Sequence, residues 1–241
     1  PPADQHDLAR IAAAPLASAF MEETDSKIIS ESAALMHRLT AVLIQFAQYA
    51  AAAHVLTALR KRRKALLTSG SAVAQVLAKS FDGLMNPSTQ KLVIEDFLSG
   101  NGEKQRNAVR LLAGFGESAL PMLVDIVKTV DDYRSRHVAA SLLANLQSAA
   151  DDRIKKTLAL ADSPQEKIRL LEVLDLIKVD VRGETLRLLS DPDGGVRQAA
   201  LQLLERIKDP SSAKVLLELA GGPKDDVAVD AITCLGRIKA P

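Results

Sequence analysis

The sequence predicts an all-α solenoid built from two-helix repeats, and three observations carry that reading. The stretch from Asp191 to Ile207 recurs along the chain: taking Ile207 as anchor, its counterparts are Phe115, Leu146, Ile177 and Ile238, spaced 31, 31, 30 and 31 residues apart. Leucine stands three residues before every anchor (Leu112, Leu143, Leu174, Leu204, Leu235). Six before are Val109, Ala140, Leu171, Leu201 and Ile232, and seven before are Ala108, Ala139, Leu170, Ala200 and Ala231. Offsets of 0, −3, −6 and −7 fall on one face of a helix. Such a period over five copies is the signature of stacked units that bury their faces against neighbours. Finally, no stretch alternates with period two, and the 47% apolar content comes with only 3% aromatic residues and no tryptophan, so leucine and alanine do the packing.

Taken in order, residues 1–23 read as short, alanine-rich helix broken at Pro15, because proline removes a helix bond and crowds the preceding turn. Thr24, Asp25 and Ser26 offer N-caps to a helix over about 27–47. A second helix over about 49–67 follows without glycine or proline at the join, so one continuous helix is the competing reading. The turn at 68–71 leads to a third helix over 72–84, stopped at Asn86-Pro87. From Ser88 the first helices of the repeats fall at about 89–99, 118–130, 150–161, 181–190 and 211–220. The second helices fall at about 103–115, 133–146, 164–178, 193–207 and 224–238. Pro164, Pro192 and Pro223 lie at or near the start of second helices, where a missing N–H costs nothing.

The units resemble HEAT repeats, especially the short bacterial type also found in phycobilisome-lyase-like proteins. The run Val196-Arg197-Gln198-Ala199-Ala200 through Ile207 matches that pattern most closely, followed by 136–146 and 231–238. The resemblance spans about 88–239 and implies a right-handed α-solenoid, an alpha-alpha superhelix of about five two-helix repeats. Residues 1–87 would form an N-terminal helical cap and 88–241 the repeats. It also implies that second helices line the concave surface. There the outward columns hold Arg106, Arg110, His137, Asn145, Glu172, Gln202, Arg206 and Arg237, the candidate partner-binding face. One column further in, Arg136, Lys167 and Arg197, with Asp131, Asp162 and Asp191 five or six residues earlier, are expected to form a structural ladder linking neighbouring turns.

Charge narrows the partner. The formal net charge is +1; residues 1–87 carry 9 Lys+Arg against 7 Asp+Glu, and 88–241 carry 22 against 23. Neither part is a polyelectrolyte, and the outward face mixes signs, with Asp175, Glu205 and Asp230 close by. Double-stranded nucleic acid would need unopposed cations. The densest basic run, Arg60 to Lys64, is the basis of the alternative nucleic-acid reading, together with the concave arginines. It also lies near a helix C-terminus, where cations complement the dipole. Ala41–Leu59 lacks formal charge, but its Gln45, Gln48, Tyr49 and His54 fit a buried hairpin better than a membrane span.

Chemistry is not indicated. Cys234 is the single cysteine, which excludes an internal disulfide and a multi-cysteine zinc site and reads as a small buried hydrophobe. His6, His37, His54 and His137 are scattered and none precedes a glutamate, and no glycine-rich phosphate loop or nucleophile elbow is present. No cofactor and no metal are expected. The reading is therefore a non-catalytic protein-interaction scaffold or regulatory module, cytoplasmic and part of a larger polypeptide, since the chain starts Pro1-Pro2 without methionine. A phycobilisome-lyase-like enzyme is the third reading. The last unit has Val227, Ile232, Leu235 and Ile238 on its packing face, Val229 elsewhere, and Val215, Leu216, Leu217 and Leu219 on its first helix. With no polar capping helix after it, some of that apolar surface is expected to remain open for association.

Overall fold

A computed structural model describes residues 3–69, 71–146, 148–178, 182–207, 212–222 and 225–238. Among them every regular element is helical: α1 (Ala3–Glu22), α2 (Ser26–Gln45), α3 (Tyr49–Thr68), α4 (Val73–Asp82), α5 (Pro87–Leu98), α6 (Gly102–Phe115), α7 (Leu120–Thr129), α8 (Tyr133–Ala144), α9 (Ser148–Ala159), α10 (Pro164–Ile177), α11 (Arg182–Leu188), α12 (Gly194–Ile207), α13 (Ser212–Ala220) and α14 (Asp225–Ile238), with a 3-10 turn at Gly116–Ala119. Side-chain caps start several of these helices, and the one expected from the sequence at residues 24–26 is among them. Asp25 accepts hydrogen bonds from the amides of Lys27 and Ile28, and Asn86, Asn101, Asp132 and Ser163 do the same for α5, α6, α8 and α10.

One local expectation is corrected. Helix α1 runs through Pro15 instead of breaking there. Pro15 and Ile11 both lie on the exposed side of the helix, so the carbonyl deprived of its donor sits where water can replace it. The question left open over 27–67 resolves as a hairpin. Helix α2 ends at Gln45 and Ala47 takes a left-handed φ of 52°, a turn made by alanine where glycine would be the easier residue.

The chain divides into two compact units, Pro1–Met122 and Leu123–Pro241. In the first, α1, α2 and α4 pack around α3, and α3 packs along α6. Close approach is possible because Gly114 faces Ala53, where a Cβ on the glycine would come within 3.0 Å of the alanine Cα. Tyr49 is buried at the start of α3; that burial pushes its hydroxyl pKa up, with a hydrogen bond to Asp96 of α5 in the same sense. In the second unit the second helices pack in succession, α8 on α10, α10 on α12 and α12 on α14. The first helices α9, α11 and α13 form a second layer beside them.

The repeating columns are buried within each unit. Leu112, Leu143, Leu174 and Leu204 are buried, as are Ala108, Ala139, Leu170, Ala200 and Ala231. Departures come at α14: Leu235 is half-buried and Ile232 is 58% exposed. Within the second unit Ala140, Leu171 and Leu201 at the same position are buried, whereas no described second helix packs on the far side of α14. Cys234 is fully buried, and burial pushes its thiol pKa up to about 11, so it behaves as the small hydrophobe expected.

Candidate functional site

Second helices position the candidate residues by simple periodicity. Tyr133, Arg136 and His137 follow one another at i, i+3 and i+4 on α8, Arg169, Glu172 and Asp175 at i, i+3 and i+6 on α10, and Gln202 and Arg206 at i and i+4 on α12. Each set therefore presents one edge of its helix. Two adjoining clefts run between them. One, of about 290 Å³, lies between α8 and α10 and reaches Arg206. The other, of about 360 Å³, lies between α10 and α12. They share Glu172, Asp175 and Arg206.

At the mouth of the first cleft Tyr133 is 64% exposed. Its ring stacks on His137 with centroids 5.9 Å apart, and the Arg136 guanidinium carbon lies 5.7 Å from the tyrosine centroid. Tyrosine and arginine are among the residue types enriched where protein contacts concentrate their binding energy. Neither Tyr133 nor Arg169 was singled out from the sequence. The usable signal for Tyr133 was that it is one of two tyrosines and opens a second helix. Arg169 carried none, since its column holds unlike residues in the other units.

Ion pairs cross the same face in register. Arg206 pairs with Asp175, and Arg237 donates to Glu205 at 3.0 and 3.2 Å. In both, the arginine just before one anchor meets the acid two before the preceding anchor. Arg136 reaches Glu172 at 3.9 Å. Two of the outward arginines expected to face a partner, Arg206 and Arg237, are thus already opposed by carboxylates, and the outward Glu172 by the ladder residue Arg136. The other outward residues, His137, Asn145 and Gln202 in this unit and Arg106 and Arg110 in the first, are all exposed. Arg110 donates to Asn107 at 3.3 Å and lies with His54 and Arg60 around a shallow depression between α3 and α6.

The ladder residues lie at the turns between helices. Arg136 donates to the carbonyls of Val130 and Asp131 at 3.2 and 2.6 Å, and Arg197 to those of Asp191 and Pro192 at 3.2 and 3.3 Å. These are the same two positions, six and five residues back, so each arginine closes its own turn. Links to neighbouring units come from other atoms. Lys167 bonds Asp191 at 2.7 Å, Arg169 bonds Asp131 at 2.6 Å, and Arg197 pairs with Asp226 and with Asp230. Burial would raise the Asp191 pKa, but Lys167, the amide of Asp193 and Arg197 together hold it below its ordinary value. Asp162 departs from the scheme: it is exposed and pairs with no described cation.

The basic run is partly consumed within the first unit. Arg60 donates to the carbonyl of Ala113 at 3.0 Å near the end of α6 and lies against Gly116, whose positive φ of 60° and missing Cβ leave room for the guanidinium. Arg62 donates to the carbonyls of Met21, in the last turn of α1, and of Glu23, just past its end. Both cations thus serve the C-terminal carbonyls of other helices rather than their own. Among the described residues no group of histidine, cysteine, aspartate and glutamate is placed to hold a metal, and no helix is long and apolar enough to cross a membrane.

Known proteins add one firm likeness. The family model for HEAT repeats matches residues 152–236. No curated protein sequence is significantly similar to the chain. Among solved structures, the chain is similar to the crystal structure of an engineered protein from the Northeast Structural Genomics Consortium, with 21% identity over 95% of this chain and 96% of that one. The TM-score is 0.26, a superposition too loose to carry an argument. The match in sequence falls on the layered second unit, whose residues 152–236 are HEAT repeats by that model.

Proposed function

We propose that this chain is a non-catalytic protein-interaction module whose second unit takes an extended segment of a partner along the clefts of α8, α10 and α12. HEAT repeats generally serve as protein-interaction scaffolds. The observation that carries the reading is the continuity of the two clefts through Glu172, Asp175 and Arg206, with the exposed Tyr133–His137 stack at one end. A peptide backbone and mixed side chains suit a face of alternating charge, whereas a phosphate backbone would meet Asp175 and Glu205 beside each arginine. Arg60 and Arg62, bound to carbonyls, take two of the five cations from the nucleic-acid alternative. On this reading residues 1–87 act as the cap of the repeats, and Arg136, Lys167, Arg197, Asp131 and Asp191 as structural ladder.

The test is a pull-down from the native cell extract, treated with nuclease, comparing the unmodified chain with Tyr133→Ala/Gln202→Arg. Both substituted side chains are exposed, so folding is preserved. Partners retained by the unmodified chain and lost by the variant support the cleft. Partners retained equally by both, or lost on nuclease treatment alone, overturn it.

A further inference from the structure

Helix α2 carries two apolar faces, and only one is covered. Ile29, Ala33, Met36, Thr40 and Leu43 are buried in the first unit. Roughly 120° around the helix, at 100° per residue, Ile28, Leu35 and Val42 stand 47, 47 and 36% exposed. They are one heptad apart, with Ser32 and Leu39 between them. Alternating steps of four and three residues make the seam of a two-stranded coiled coil. Scattered exposed hydrophobes would need no explanation; a seam at heptad spacing does.

Charge says what covers it. Glu31 and Arg38 border the seam on its outer side, seven residues apart, both exposed and neither in an ion pair with a described residue. We infer that α2 pairs antiparallel with α2 of a second copy of this chain, about a two-fold axis at Leu35. A two-fold axis perpendicular to the helix sets a flanking column against itself in reverse order. Glu31 of each copy then meets Arg38 of the other, and Ile28 and Val42, each seven residues from Leu35, exchange places. A parallel pair would put Glu31 against the opposite flank, the column of Ile29, Met36 and Leu43, which offers it no charge. The order of charges thus selects both the orientation and the partner. From Ile28 to Val42 the seam is ~21 Å long, a contact suited to a reversible dimer rather than an obligate one. It lies on a different helix and unit from the proposed peptide cleft and stands apart from that reading.

Sedimentation equilibrium of the full chain over a wide concentration series tests the inference. The expected mass rises from one chain towards two, and Leu35→Glu holds it at one with unchanged helicity and melting. Should Leu35→Glu fail to fold, the charge swaps decide. Glu31→Arg or Arg38→Glu alone sets like charges together twice and weakens dimerisation by about tenfold, while the double variant restores it. Under mild oxidation Leu35→Cys cross-links to itself and Ile28→Cys does not, buried Cys234 standing aside. A chain monomeric at every concentration, single swaps without effect, or Ile28→Cys cross-linking as readily as Leu35→Cys would each overturn it.

Discussion

Leucine three residues before each anchor offers a graded test of the packing, because one sequence column meets two environments. Leu204 is fully buried in α12, which packs between α10 and α14, whereas Leu235 in α14 is only half-buried. Truncating Leu204 to alanine removes three carbons, worth ~2.4 kcal/mol at ~0.8 kcal/mol each. The space they leave is closed on all sides by the two neighbouring helices, and at ~24 cal/mol per Å³ a residual cavity of ~60 Å³ adds ~1.5 kcal/mol. Leu204→Ala should therefore cost ~4 kcal/mol. At Leu235 part of the side chain is already hydrated and the gap opens to solvent, so Leu235→Ala should cost only ~1–2 kcal/mol. Urea unfolding followed by far-ultraviolet circular dichroism measures both, with Leu174→Ala as a buried control expected to behave like Leu204→Ala. Equal costs for Leu204→Ala and Leu235→Ala, or a Leu204→Ala variant within ~1 kcal/mol of the unmodified chain, would show that the helix phase and the layering are wrong.

Two further outcomes follow from individual contacts. The Asp191 carboxyl is held below its ordinary value of 3.8 by Lys167 and the Asp193 amide, despite its burial. Its contribution to stability is present above that ordinary value and lost as pH falls through the depressed one. Unfolding free energy of the unmodified chain should thus fall more steeply than that of Asp191→Asn below about pH 4, the two curves converging in acid; parallel acid limbs would contradict the pairing. At Gly114 an added Cβ meets backbone of Ala53 at 3.0 and 3.2 Å, while at Gly183 it meets nothing within 4 Å. Gly114→Ala should lower stability by ~1–3 kcal/mol and Gly183→Ala raise it by up to ~1 kcal/mol, a contrast that thermal melts of the two variants would check.

Much of this architecture is legible from the chain alone, for a physical reason particular to repeats. A helix in a stack buries the same face against the same kind of neighbour each time, so Leu143, Leu174 and Leu204 record one environment in one residue type. The helix starts are equally local: Asp25, Asn86, Asn101 and Ser163 each satisfy amides two or three residues away, a reach that primary structure specifies. Pro15 shows the limit of local rules, since what decides its fate is whether the freed carbonyl can reach water, and that depends on which side of α1 faces the first unit. Tertiary structure decided everything joining residues far apart in sequence. Arg169 meets Asp131 across 38 positions and Arg60 meets Ala113 across 53, and no periodicity encodes either. It also decided which cations remain free: Arg206 and Arg237 read as available from their columns, yet each finds a carboxylate on the preceding second helix. Sequence determines which face of each helix is apolar, because side-chain chemistry and the helical period are local. Which polar groups are left for a partner depends on the lateral register of neighbouring helices, and that register is set only when the helices pack.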